Sequence, residues 1–397
     1  MKENGNHSGQ ESFARIRRVT LAYVNAMKAG STPGIYAKER GEAPGLYGSY
    51  HAAHILDLFG ELSPLGPDHL AAWAAFFQAR QSEQGFFTND PELLTARLSG
   101  TELNPVWHTT RGCLWALRLL NKTAERPLRF LQPFRKSGAL QSWVLDYDWS
   151  QPWAASNQVL AMATAMFAQR DWFGDESIDA QLAAELQPAL HELLDESTGL
   201  WGTQFGAGVA DGLFANIHLM PIYFACGWPL PAVERMVDAT LSAQLPDGSY
   251  WPGGSDCPDF DGAYMLANLY ELTDYRRAEM EGAARKYLAH ALQHEDADGC
   301  GWLLHRRDTA PHGWKARPHW KWPAGATRAI AEQRDENFQR THIMLGSWFY
   351  PLSIALIANM LGDTGYEGPY RINGHSLHQC NVFNGTRTIT LCDEHHS

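Results

Sequence analysis

Positive charge is scarce in this chain: 32 Lys and Arg stand against 44 Asp and Glu, a net of −12. A surface of that sign does not neutralise phosphates, which excludes general nucleic-acid binding. Long hydrophobic runs are lacking too. No stretch of ~18 uninterrupted apolar residues occurs, so no membrane span is expected. Residues 1–10 are polar and hold no apolar core of a signal peptide, which makes a cytoplasmic, soluble protein the expectation. The six cysteines have no CxxC pairing and no short zinc-type spacing, and read as reduced structural thiols. GxGxxG, GxSxG, HExxH and phosphate-cradling glycine loops are all missing. Nucleotide cofactors, α/β-hydrolase chemistry and zincin-type metals lose their usual signatures, and no cofactor or metal is expected. Two glycosylation sequons, at Asn121 and Asn384, are read as chance matches.

What is present is a long-period repeat. Six segments share a recipe: a turn rich in Gly, Pro, Asp or Asn, then a helical run apolar nearly all round. They begin near Leu46, Asn104, Gln151, Gly212, Pro258 and Phe338. Helices apolar on every side are buried helices. Amphipathic segments alternate with them at about 68–84, 126–143, 177–195, 231–244 and 274–294, and 11–28 supplies a sixth. Buried and one-sided helices in alternation, without strand-period segments between, predict an all-α fold. That fold is a single (α/α)6 toroid of six inner and six outer helices over residues 1–362. Residues 363–397, rich in Gly and Asn, read as an irregular C-terminal cap or arm, with a short strand at 387–391. A helical solenoid gives a similar pattern, but six pairs without polar capping repeats favour the closed ring.

The outer helices end in a recurring phrase: Gln81, Gly85 and Phe87; Gln244, Gly248 and Tyr250; Gln293, Gly299 and Trp302; with Gly199 to Gly202 as a degenerate copy. An apolar residue, a Gln, a Gly-containing turn and an aromatic resemble the QW repeats of squalene and oxidosqualene cyclases. Similar repeats mark protein prenyltransferase β subunits. The stretch from Asp259 through Asp261, Gly262 and Ala263 is similar to the DxDD motif of class II terpenoid cyclases. The resemblance implies Asp261 as the acid that protonates an alkene or epoxide, with Asp259 its neighbour. Gly262 stands where that family has its last Asp, and Ala263 where prenyltransferases have a zinc-binding Cys.

The residues also argue for themselves. Carboxylates two apart at a helix N-terminus crowd one another, which favours one proton-holding acid. One of the pair is also a natural helix cap. If the inner helices direct their N-termini into one cavity, a site assembles there. Its candidate catalytic residues are Asp261, Asp259, His218, His108 and Tyr264. Candidate substrate-binding residues are Tyr50, His51, Trp107, Arg111, Trp153, Asn157, Asn216, Asp256, Trp320, Arg340 and His342. Trp320 belongs to a basic, tryptophan-rich stretch at 306–322 suited to attracting an anionic substrate.

Three readings follow. The first is acid-initiated isomerisation or cyclisation of an isoprenoid-like substrate. The second, favoured by the polarity of the candidate set, is a carbohydrate-active hydrolase or polysaccharide lyase on the same toroid. The third is a non-catalytic ligand-binding toroid. The expected partner is a small molecule or oligosaccharide.

Overall fold

A computed structural model describes residues 6–90, 105–252, 254–295, 301–303 and 344–362, and the short strand segments 370–371 and 390–391. Thirteen α-helices lie among the described residues. Six are long and form the inner ring: α2 (Leu46–Leu58), α4 (Pro105–Leu119), α6 (Pro152–Phe173), α9 (Val209–Cys226), α11 (Asp256–Leu272) and α13 (Met344–Leu361). Each packs on the next, and α13 packs back on α2, which closes the circle. Closure distinguishes a toroid from a solenoid.

The outer layer comprises α1 (Asn6–Ala26), α3 (Pro67–Gln78) and α5 (Ala139–Leu145), then α7 (Ser177–Gln181) with α8 (Gln187–Glu192), α10 (Val233–Ala243) and α12 (Arg277–Ala291). A π-helical turn, Leu182–Leu186, joins α7 to α8. The outer segment expected at 126–143 is a 3-10 turn, Arg129–Arg135, followed by the short α5. Pro133 inside that turn removes a backbone donor and accounts for the broken helix. Two-residue strands, β1 (Leu194–Asp195) with β2 (Leu200–Trp201) and β3 (Tyr370–Arg371) with β4 (Thr390–Leu391), complete the description.

The inner helices are buried because their sequences offer no polar stripe to water. From Leu213 to Tyr223 every residue of α9 is buried, and α13 is buried from Gly346 to Ala358. Both are long and apolar enough to cross a bilayer, yet most of each is enclosed by its neighbours. They are buried staves of the core.

Outer and inner layers are joined at the turns where the repeated phrase lies. The Gln81 amide donates to Gly85 O at 3.3 Å and to Arg126 O at 2.8 Å, and its Oε1 accepts from Arg126 N at 2.9 Å. Gln244 does the same, donating to Gly248 O at 3.1 Å and Ala283 O at 2.9 Å. Each glutamine thus closes its own turn and ties it to the next outer segment. The third copy differs. Gln293 is exposed and reaches only Ala289 O in its own helix, while Glu295 pairs with Trp302. Gln293 is therefore not a repeat glutamine, because the 3-10 turn Leu292–His294 rotates it to the surface.

This division gives a test. Gln81→Ala strands buried backbone groups and is expected to cost about 1–3 kcal/mol in denaturant titrations, whereas Gln293→Ala should change stability by less than about 0.5 kcal/mol.

Candidate active site

A second tie sets which face of four of the inner helices looks inward. The backbone N–H of the aromatic residue in each turn is accepted by a polar side chain of the following inner helix. Tyr36 donates to Ser49 Oγ at 3.1 Å, Phe87 to Thr110 Oγ1 at 3.0 Å, Trp201 to Asn216 Oδ1 at 3.2 Å and Tyr250 to Asp259 Oδ1 at 2.8 Å. These four acceptors face outward, toward the outer layer. At ~100° per residue, a side chain two positions away lies on nearly the opposite face of the helix. Two residues before or after each anchor come His51 in α2, His108 in α4, His218 in α9 and Asp261 in α11. The anchors therefore hold these groups toward the ring's interior.

The inner polar groups make a directional relay. Arg111 Nη1 donates to Asn157 Oδ1 at 3.1 Å, and Asn157 Nδ2 donates to His218 Nε2 at 3.1 Å. His218 Nε2 is then an acceptor, which places the ring proton on Nδ1 facing Ser156 Oγ at 3.0 Å. Ser156 passes its own proton to Trp153 O at 3.1 Å. His218 is thus a neutral imidazole held at both nitrogens. The Arg111 guanidinium also lies over the Trp115 ring at 4.7 Å. The His108 Nδ1 sits 3.3 Å from the Tyr50 hydroxyl, and its ring stacks on Tyr47. His51 packs against Trp348 and donates from Nδ1 to Tyr47 O at 2.9 Å, while His54 stacks on Trp348 at 4.6 Å.

Asp261 is 2% exposed, and its Oδ2 finds no hydrogen-bond partner among the described residues. Burial, with Asp256 and Asp259 adding like charge, raises its pKa well above the ordinary carboxylate range. Burial thus favours its neutral, protonated form. The carboxamide of Gln158 is likewise buried and unmatched at both its oxygen and its nitrogen among the described residues. Burial lowers the His51 pKa well below its ordinary value, and burial with the nearby Arg111 cation lowers His108 to about 3.

Tyr47, His108, Trp153, Asp211, Cys257 and Leu345, each in the first turn of an inner helix, are half-buried. A shallow groove of about 500 Å³ lies elsewhere, on the outer surface between Val233, Asp238 and Tyr275.

Several expected site residues are placed differently. Asp259 and Asn216 face outward as anchors; Asn216 also donates to Gly199 O at 3.3 Å. Neither lines the centre, because each is two residues from the inward-facing group. Trp107 packs outward between Phe86, Phe130 and Trp143. His218 and Asn216 lie in the third turn of α9, since that helix starts at Val209 rather than Gly212. Asp256 accepts from the neighbouring Cys257 N at 2.7 Å, and Tyr264 is wholly buried. Gly262 has no room for a side chain: a Cβ there would lie 2.0 Å from the Tyr250 ring. The position matching the last Asp of DxDD thus belongs to packing. Trp320, Arg340 and His342, with the basic stretch 306–322, lie outside the described residues.

The sequence reading missed Ser156 and two histidines, His290 and His294. Their signals were a polar residue beside Asn157 and an HxxxH spacing on an outer helix.

Comparisons with known proteins speak to the fold. No protein-family model matches the chain, and no curated protein matches it. Solved structures do. A glycosyl hydrolase of family 88 from Bacteroides vulgatus aligns with a TM-score of 0.50 and 14% identity, over 89% of this chain and 100% of that one. A polysaccharide lyase aligns at 0.46 and 16% identity, over 88% and 97%. A GH76A α-1,6-mannanase from Salegentibacter sp. aligns at 0.44 and 11%, over 88% and 99%. The chain shares its (α/α)6 toroid with the family 88 glycosyl hydrolase, at an identity that speaks for fold alone. Membership of the terpenoid cyclase family finds no support among the matches.

The enclosed histidines carry a stability signature. His54 is 7% exposed and burial lowers its pKa to about 3. Between about 6.5 and about 3 the unfolded state binds a proton that the folded state refuses, so stability falls as pH falls. His54→Phe, which keeps a ring against Trp348, should flatten the stability slope by up to about 1.4 kcal/mol per pH unit in that window. Urea titrations of both proteins across the window test this; parallel slopes would refute it.

Proposed function

We propose that this protein is a carbohydrate-active enzyme that cleaves a saccharide linkage by acid–base chemistry at the N-terminal end of its inner ring. The observation that carries this reading is the buried Asp261, its Oδ2 unmatched among the described residues and its pKa raised, on the same inward side as the Arg111–Asn157–His218 relay. A carboxylic acid kept neutral by burial is the group that protonates a departing glycosidic oxygen. Arg111 and Asn157 supply the fixed donors that a sugar hydroxyl or a uronic carboxylate requires. The half-buried Trp153 offers an indole in the first turn of α6, where a sugar ring stacks. His218, neutral and held at both nitrogens, is available as a base once substrate replaces one of its partners. His108 with Tyr50 extends the polar wall.

A hydrocarbon cyclase shelters cations behind aromatic walls. A wall of His, Arg, Asn, Gln and Asp supplies nucleophiles and hydrogen bonds instead, which favours saccharide over isoprenoid. The raised Asp261 is the one observation that suits acid-initiated cyclisation equally well, and that reading stands second. The fixed Arg111 guanidinium, suited to a carboxylate, makes uronic oligosaccharides the class to test first.

A panel of neutral and uronic oligosaccharides, with an isoprenoid set beside it, decides between the readings. New reducing ends report hydrolysis, and an unsaturated-uronate absorbance reports elimination. Turnover of a saccharide, reduced about 10²–10⁴-fold by Asp261→Asn in a folded protein, is the expected result. Activity confined to the isoprenoid set would transfer the assignment to the second reading. Arg111→Gln should raise KM for uronic substrates far more than for neutral ones if Arg111 receives the carboxylate.

A further inference from the structure

On the outward side of α11, four buried side-chain atoms converge from three elements. Asp259 Oδ2 lies 3.0 Å from His290 Nε2, and His290 Nε2 lies 3.1 Å from His294 Nε2. The Tyr350 hydroxyl of α13 stands 3.4 Å from both Asp259 Oδ2 and His294 Nε2. All four residues are 0% exposed. The Asp and His ligand atoms lie within 4.8 Å of one another.

Three features exceed what hydrogen-bonded scaffolding needs. The first comes from the repeat. At the equivalent anchor position three other inner helices use neutral Ser49, Thr110 and Asn216, and one acceptor atom suffices to hold the turn. Only here, among the described anchors, is the residue a carboxylate, and its second oxygen, which accepts from Ser255 N at 2.9 Å, also meets the His290 imidazole.

The second is the proton count. His294 Nδ1 faces Leu303 O at 3.3 Å and must carry a proton to bond it, so His294 Nε2 presents a lone pair inward. His290 Nε2 has at most one proton for two acceptors, Asp259 Oδ2 and His294 Nε2. His290 Nδ1 has no hydrogen-bond partner in either protonation state, and the nearest carboxylate oxygen, Asp247 Oδ2, is 4.0 Å away. A cation at the centre resolves all of this. Both Nε2 lone pairs and Oδ2 point at the ion, while each Nδ1–H points away, to Leu303 O and toward the Asp247 carboxylate. That outward orientation is the one metal-bound histidines adopt.

The third is size. Metal–ligand bonds of about 2.0–2.1 Å in a tetrahedron give ligand–ligand edges of about 3.3 Å. Four of the six edges among these atoms measure 3.0 to 3.4 Å, and the Asp259–His294 edge is within 4.8 Å. The backbone of Gly254 closes the remaining side. Its φ is +80°, and a Cβ there would lie 2.5 Å from His294 Nε2 and 2.9 Å from His290 Nε2.

We propose that Asp259, His290 and His294, completed by the Tyr350 hydroxyl, bind one divalent metal ion of the zinc type as a structural cross-link. Two imidazoles and four-fold geometry disfavour Mg²⁺ and Ca²⁺, which require six or more oxygens. A closed, fully buried set without an open position has no route for substrate, so the ion joins α11, α12 and α13 and takes no part in turnover. The site is separate from the inward face proposed for saccharide chemistry and does not depend on that assignment.

The test uses full-length protein purified without a metal-affinity tag from zinc-supplemented culture. Metal analysis after exhaustive dialysis should return about one zinc per chain. Stripping with a strong chelator should lower Tm by about 5 °C or more, with recovery on adding Zn²⁺ and none with Mg²⁺. Co²⁺ added to the stripped protein should produce the visible absorption of a tetrahedral site. His294→Gln should lose the metal and the cobalt spectrum, while Asp261→Asn keeps both. Metal-free protein whose Tm ignores both chelator and zinc, and which gives no cobalt spectrum, would overturn the proposal. So would a full zinc complement in a folded His290→Gln, His294→Gln double variant. The wild-type measurements decide the matter alone if the variants do not fold.

Discussion

Everything in this ring depends on a backbone amide that emerges from an outer-layer turn and must be satisfied away from water. A buried N–H without an acceptor costs about 1–3 kcal/mol, and the turns place one such group against each of several inner helices. Ser49, Thr110, Asn216 and Asp259 meet that need with one side-chain oxygen apiece. The bond does more than satisfy a donor. It fixes the rotation of each of these inner helices about its own axis, because only one helix face can present the acceptor to the turn. With rotation fixed, the interior is fixed as well: the residue two positions along is committed to the centre. A ring of otherwise featureless apolar helices, free to pack at many rotations, thereby acquires a defined inner wall.

That wall is polar although buried. Arg111, Asn157 and His218 satisfy one another in a single donor direction, which orders the wall before any ligand arrives. Asp261 stands outside this relay with an oxygen unmatched among the described residues. The contrast is informative. Satisfied groups hold position, and an unsatisfied buried acid has its capacity left for something that enters. Gln158 is in the same condition, and the two together mark where a hydroxyl-rich molecule would find partners.

Much of the architecture was legible in the sequence because it rests on signals that survive in one dimension. Inner helices betray themselves by having no polar stripe, and the glutamine-turn-aromatic phrase repeats visibly at Gln81 and Gln244. The site was half legible. Residue types were right, since His, Asn, Arg and Asp do cluster on the inner helices, but which side each one faces depends on helix rotation. Rotation is set by the anchor bond, whose partner lies 9 to 23 residues upstream in a turn. Asp259 and Asp261 look alike in sequence and stand on opposite faces. The third glutamine, Gln293, misled for a related reason: a 3-10 turn of one residue's difference rotates it to the surface. His290 and His294 were overlooked because the outer helices were read only for their amphipathic stripe.

Closure of the ring also has a temporal side. α13 packs against α2 and α1, so its neighbours lie near the opposite end of the chain. Trp302 Nε1 donates to Thr20 Oγ1 at 2.9 Å across 282 residues, and Arg15 pairs with Glu295 across 280. An open solenoid gains stability repeat by repeat as it leaves the ribosome. Here the first helices wait, with one flank bare, until the last stave has been synthesised. Contacts of such separation carry a large loop-closure cost and slow the final step. The partly built ring is thus the vulnerable species in the protein's life, and its exposed flank is the surface a chaperone would meet.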